Sequence, residues 1–239
     1  MKLRLAISEQ QAFQLFCLTL VIELVLVMLF LGHVCFADPN SFSYKFFHLD
    51  REKNIPTLFS TVQLFAVGIV FIVISTNDNA TRKTLQRFFL LGGLGFIFLS
   101  FDEAFSIHES ISKNFKAVDW VPRFKGNHGL WVMPYLVVLC LAVLLSLRPL
   151  NIVWKQHRKE ALIIGIGGII FLTGAVGLEV LSYQFLRDDS ATQALYLAEV
   201  TFEELFEMLG VSLVLYGSLL LLNRRTHQLE YCSETSSIT

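Results

Sequence analysis

Six apolar runs, each long enough to cross a bilayer as a helix, constrain this chain more than any other feature of its sequence. A hydrocarbon core of about 30 Å takes roughly 20 helical residues. Lipid offers no hydrogen bonds to an open backbone, so such runs must satisfy their amides internally, as helices. They lie near 12–32, 57–76, 87–109, 129–147, 161–183 and 201–222. The expected fold is therefore all-α: a polytopic membrane bundle of six transmembrane helices forming a single domain over 1–225. A disordered cytoplasmic tail, ending SETSSIT, is expected over 226–239. Composition agrees, with 54% hydrophobic and 16% charged residues and 22 Phe, outside the usage of soluble domains.

The first run has a rival reading as a secretion signal, because Lys2 and Arg4 precede it and Cys35-Phe36-Ala37 resembles a cleavage site. Its apolar part exceeds a typical signal core, which favours a retained helix. Lys and Arg then set orientation. Eleven fall in the N-terminus, second loop, fourth loop and tail, and eight in the alternate loops, so both termini are expected on the cytoplasmic side. A bacterial inner membrane is the expected location, membrane lipid the surrounding partner, and a homo-oligomer or larger membrane complex the expected assembly. A net charge of −1 with scattered basic residues gives nucleic acid no binding face. Cys17, Cys35, Cys140 and Cys232 are isolated, which indicates neither a disulfide framework nor a thiolate metal site.

Polar residues break the apolar pattern at one depth. The stretch FLSFDEAFSIHE, Phe98–Glu109, runs Asp102, Glu103, His108 and Glu109 into the outward end of the third helix. On one continuous helix Asp102 and Glu109 are seven apart and share a face, flanked by Glu103 and His108. His128 opens the fourth helix on the same side, where Asn127 is a candidate N-cap and Pro134 is expected to kink the chain. Helix five reaches Glu179 and Ser182 there, and helix six starts with Glu199, Glu203, Glu204 and Glu207. Glu179 shares a stripe with Gly168 and Ala175, small residues of the kind that let membrane helices approach closely.

A carboxylate facing lipid near the membrane centre costs about 2.5–3.5 kcal/mol, so these groups are expected to face inward and to need partners. Few Lys or Arg share their depth, which leaves protons or bound cations. Carboxylates and imidazoles without thiolates suit zinc, iron or manganese. The expected ligands are Asp102, Glu109, Glu179, Glu203 and Glu207, completed by His108 or His128, with Glu103 as the spare acid or base. A di-iron bundle would show Glu-x-x-His, which this chain lacks. Plainer roles compete with these. Thr201-Phe-Glu-Glu204 matches a capping box, making Glu204 a helix-start residue. Glu23, alone in helix one, reads as a buried, hydrogen-bonded carboxyl, and His48, Asp50 and Glu52 read by default as a solvated loop.

Three phrases, LDREKNIPTLFS (49–60), FLSFDEAFSIHE (98–109) and EELFEMLG (203–210), resemble those of an uncharacterised family of bacterial multi-pass membrane proteins. The likeness runs from loop one to helix six and implies the architecture and the polar signature, without a reaction. Intramembrane proteases of the CAAX type carry Glu-Glu-x-x-x-Arg, where this chain has Met208. The alkaline ceramidase and progestin-receptor-like group uses zinc on three histidines, and no His-x-x-x-His occurs here. The leading functional expectation is a membrane-embedded, metal-dependent hydrolase or oxidoreductase acting on a lipid-like substrate. The alternatives are a proton- or cation-coupled transporter and a non-catalytic membrane subunit or assembly factor, with Gly92, Gly93, Gly165 and Gly167 marking partner faces.

Overall fold

The computed structural model describes residues 7–38, 40–77, 83–116, 129–182, 184 and 193–236, with side chains of the last helix up to Thr226. Among the described residues, six helices are long and apolar enough to cross a membrane: Glu9–Phe36, Ile55–Thr76, Lys83–Phe105, Val132–Gln156, Arg158–Leu181 and Gln193–Thr226. The chain runs α1 (Glu9–Phe36), α2 (Phe42–Phe47), α3 (Ile55–Asn77), α4 (Lys83–Phe105), α5 (Ile107–Phe115) and α6 (Val132–Gln156). It continues through α7 (Arg158–Leu172), a π-helical turn (Thr173–Leu178), α8 (Glu179–Leu181) and α9 (Gln193–Ser236). No strand occurs among the described residues.

The helix starts follow local chemistry. Ser8 and Gln11 form a reciprocal capping box that opens α1, each side chain accepting the other's backbone N–H at 3.1 and 2.9 Å. Pro56 occupies the first turn of α3, where its missing N–H costs nothing. Pro134 likewise falls in the first turn of α6, where its missing N–H breaks no helical hydrogen bond. The expected fourth loop contracts to one residue: α6 runs on through Pro149 to Gln156, and the chain turns at His157 into α7. At the other end of the molecule α9 begins at Gln193, not 201. Thr201 therefore lies inside a helix, its hydroxyl donating to the Leu197 carbonyl at 2.6 Å, and it caps nothing. The tail expected to be disordered from 226 continues this helix to Ser236.

The last helix is the hub. Its most apolar stretch is 67% buried, against 11% for the fourth and fifth spans, and it packs on α1, α3 and α7. Two close crossings hold the bundle. A Cβ on Gly68 of α3 would stand 2.9 Å from the Gly93 carbonyl of α4, and one on Gly93 would stand 2.8 Å from the Gly68 carbonyl. With no side chain on either glycine the two backbones approach closely, the small-residue packing expected in lipid. Across the bundle, Gly174 meets the backbone of Glu203 and Glu207 in α9. Gly93 and Gly167 are thus spent on crossings inside the bundle, while Gly165 and Gly168 have nothing within 4 Å. The stripe expected through Gly168 is displaced by one residue, to Gly167 and Gly174.

Candidate acidic chamber at one membrane face

Helix α4 stops at Phe105 because Ser106 adopts a left-handed conformation, φ 55° and ψ 46°. This break corrects the expectation of a continuous helix to 109. It turns α5 away, so that Asp102 and Glu109 no longer share a face. Asp102 stays buried and accepts the backbone N–H of His108 at 2.8 Å, which caps the new helix from six residues back. Glu109 is exposed and pairs with Lys113 at 2.9 Å, on the outside of the amphipathic α5.

The same turn seats the His108 ring. Its Nδ1 lies 3.4 Å from Asp102 Oδ1 and its Nε2 lies 3.7 Å from Glu52 Oε1. Trp131 packs edge-on against the imidazole at 5.5 Å between ring centres, and Tyr135 packs on Trp131 at 5.1 Å. Burial works against the charged ring, but the Asp102 hydrogen bond and the charges of Asp102, Glu179 and Glu52 outweigh it, raising the His108 pKa to about 9. The Glu52 carboxyl is pushed up, first by burial and then by the charge of Glu109.

Loop one is built over this group, against its default reading as a solvated loop. Lys53 takes a positive φ of 63°, and Asn54 ties the turn by donating to the His48 carbonyl at 2.6 Å and accepting from the Thr57 N–H at 3.1 Å. Tyr196 of α9 donates to Asp50 Oδ2 at 2.6 Å, fastening the loop to the hub helix. His48 is buried against Phe30, and that burial lowers its pKa.

The hub helix supplies the second half of the chamber. Glu203 interacts electrostatically with Glu179, Glu207 and Glu199. The charge neighbours of Glu204 are Glu103, Glu203, Asp50 and Glu179. Those of Glu207 are Glu204, Glu103, Glu179 and Asp102. Glu103 joins the two halves, since it also feels His108, Glu52 and Asp102. The π-helical turn just before Glu179 presses Gly174 onto Glu203 and Glu207, where a Cβ would stand 3.0 Å from Glu207 Cγ. Such turns recur at functional sites because they re-aim a side chain without ending the helix.

Of the residues expected at the site, Asp102, Glu103, His108, Glu179, Glu203 and Glu207 are joined by a chain of electrostatic contacts through Glu103, Glu179 and Glu207. Glu109 is on the outer surface and reaches the group only through its charge on Glu52, and His128, like Asn127, lies outside the described residues. Among the described residues, no group of three or more His, Cys, Asp or Glu side chains is placed to hold a metal ion. Sequence reasoning had set aside Glu204, Asp50 and Glu52, and it missed Tyr196, Trp131 and Tyr135. The Tyr135 hydroxyl faces Asp102 without a hydrogen bond of ordinary geometry. The four-residue spacing of Trp131 and Tyr135 was the available signal, because it puts both rings on one side of a helix start.

Neither the curated proteins nor the solved structures contain a match to this chain. Residues 18–221 match the family described as Domain of unknown function (DUF8692), a stretch that begins inside α1, ends inside α9 and includes every carboxylate of the chamber. With most of its length matched, the chain belongs to the DUF8692 family of proteins.

Proposed function

We propose that this multi-pass membrane protein is proton-coupled, and that the acidic chamber loads and releases protons at one membrane face. One observation carries the reading: among the described residues, the charge neighbours of Glu203, Glu204 and Glu207 are all carboxyl groups. Carboxylates held together in a medium of low dielectric cannot all be ionised, so they share protons or hold a cation. The absence of a placed three-ligand metal group among the described residues leaves protons as the simpler neutralising species. Asp102, His108 and Glu52 form the mouth, where the imidazolium pairs with both carboxylates next to the loop. The excess of Lys and Arg in the N-terminus, second loop, fourth loop and tail, on the other side, favours cytoplasmic termini. The chamber then opens outward, and the bacterial inner membrane is the setting.

A second reading keeps a divalent metal, zinc, iron or manganese, on Glu179, Glu203, Glu204 and Glu207, in a metal-dependent enzyme for a lipid-like substrate. The π-helical turn that presses Gly174 onto Glu203 and Glu207 favours it, since backbone so irregular suggests a built site. Back-titration of detergent-purified protein, with metal content by mass spectrometry, separates the two. Proton coupling expects fewer protons released between neutral and alkaline pH by Glu203→Gln/Glu207→Gln than by wild type, with no metal in either. Stoichiometric zinc, iron or manganese in wild type, lost in the double variant, makes the enzyme reading primary. Equal proton release and no metal in either protein overturns both.

A further inference from the structure

Beneath the chamber, three helices meet at a second polar site. Glu23 stands at the midpoint of the 28-residue α1 and is 1% exposed. Gln63 of α3 donates through Nε2 to Glu23 Oε1 at 3.0 Å and lies 2.8 Å from Ser212 Oγ of α9. The Ser212 hydroxyl donates to the same Glu23 oxygen at 2.6 Å. These contacts leave two atoms over. Glu23 Oε2 and Gln63 Oε1 are both buried and meet no hydrogen-bond partner among the described residues.

Both leftover atoms are acceptors. An ionised Glu23 would bury two bare acceptors, and an unmade bond of that kind costs about 1–3 kcal/mol each, more for a charge. What the site lacks is a donor or a cation. A metal cation needs several oxygen ligands around it, and two leftover oxygens fall short of such a shell. One proton on Glu23 Oε2 supplies the missing donor and removes the charge together. The groups that contact Glu23 from the packed elements are Gln63 of α3 and Ser212 of α9, neither of them charged, and α3 carries no titratable side chain. Nothing on these partners competes for the proton or replaces it.

We propose that Glu23, Gln63 and Ser212 form a proton site at the middle of the membrane, with Glu23 holding the proton as a neutral acid. Ser212 follows Glu207 by five residues on the hub helix, a rise of about 7.5 Å, so the site is the next polar station below the chamber. It stands whether the chamber binds protons or a metal, because it shares no residue with it.

Infrared spectroscopy of the protein in lipid tests this, using the carbonyl stretch of a protonated carboxylic acid. The expected result is a band in the wild type at neutral pH that is missing from Glu23→Gln and shifted in Ser212→Ala, where one hydrogen bond to the acid is gone. Thermal melting of the wild type should be the same in sodium as in potassium or choline. A band unchanged by Glu23→Gln, or a sodium-dependent rise in melting temperature lost in Glu23→Gln, overturns the proposal. Should Glu23→Gln not fold, the Ser212→Ala shift and the salt comparison still decide it. The chamber reading fails separately, through back-titration of the Glu203→Gln/Glu207→Gln protein.

Discussion

Both ends of the bundle bury carboxylates, and they treat them differently. At the end where α7 starts, Glu160 is 1% exposed and its Oε1 takes the Arg224 guanidinium of α9 at 2.9 Å. At the other end Glu203, Glu204 and Glu207 sit on the same hub helix, and the neighbours acting on them are more carboxyls. The fold can therefore provide a cation where a buried acid needs one. Among the described residues no cation acts on the three acids of the hub helix, a cost of the kind proteins carry at working sites.

The largest test of this contrast is at the paired end. Arg224→Ala leaves Glu160 buried and uncompensated, and should lower stability toward the lower end of about 3–5 kcal/mol, because Arg224 itself is partly solvated. Thermal melting in detergent reads it, and Glu160→Gln/Arg224→Ala should recover most of the loss. If Arg224→Ala melts like wild type, the two ends do not differ in the way argued.

Next comes the packing that holds the unpaired end together. Gly174→Val drives a side chain into the backbone of Glu203 and Glu207, now 2.7 and 3.0 Å from an ideal Cβ, and should cost about 1–3 kcal/mol in the same melt. Gly168→Ala, with open space around it, should cost far less. The acids themselves should behave in the opposite sense to Arg224. Glu203→Gln/Glu207→Gln removes mutual repulsion and should raise stability by about 0.5–2 kcal/mol while abolishing proton or metal binding, the usual exchange at a functional site. A strong loss of stability would mean that these acids are structural.

The mouth gives a smaller, pH-dependent effect. The pKa of His108 is raised to about 9, so its ion pairs with Asp102 and Glu52 are complete below its ordinary value of about 6.5 and disappear as pH rises through about 9. The fluorescence of Trp131, with Trp120 and Trp154 replaced by Phe, should increase with a midpoint near that pH as the quenching imidazolium is lost. His108→Gln should remove the transition. The smallest effect is expected outside the chamber. Lys113 is solvated, so breaking its pair by Glu109→Ala should leave the melting temperature and the chamber's binding unchanged.

The sequence alone determined the six spans, because roughly twenty apolar residues in a row have one stable arrangement in lipid. It also determined that the acids gather at one depth, since position along a helix is position across the membrane. Glu23 was legible as a buried, hydrogen-bonded carboxyl for the same reason: a lone acid at mid-span must find donors, and it finds Gln63 and Ser212. Its leftover acceptors were not legible, because they depend on which atoms of three distant segments meet.

What tertiary structure decided is which acids share a space. One left-handed residue, Ser106, sent Glu109 outward, where a regular helix would have kept it beside Asp102. Periodicity assumes regular dihedrals and has no sign of such a break. The early start of α9 turned Glu204 from a cap into a chamber residue, because packing against α1, α3 and α7 carries a helix past a local capping signal. The fold of loop one, which brought Glu52 to His108 and Asp50 to Tyr196, depends on contacts with partners 56 and 146 residues away in sequence. Pattern within one segment carries no information about those partners, and the three-dimensional packing supplies it.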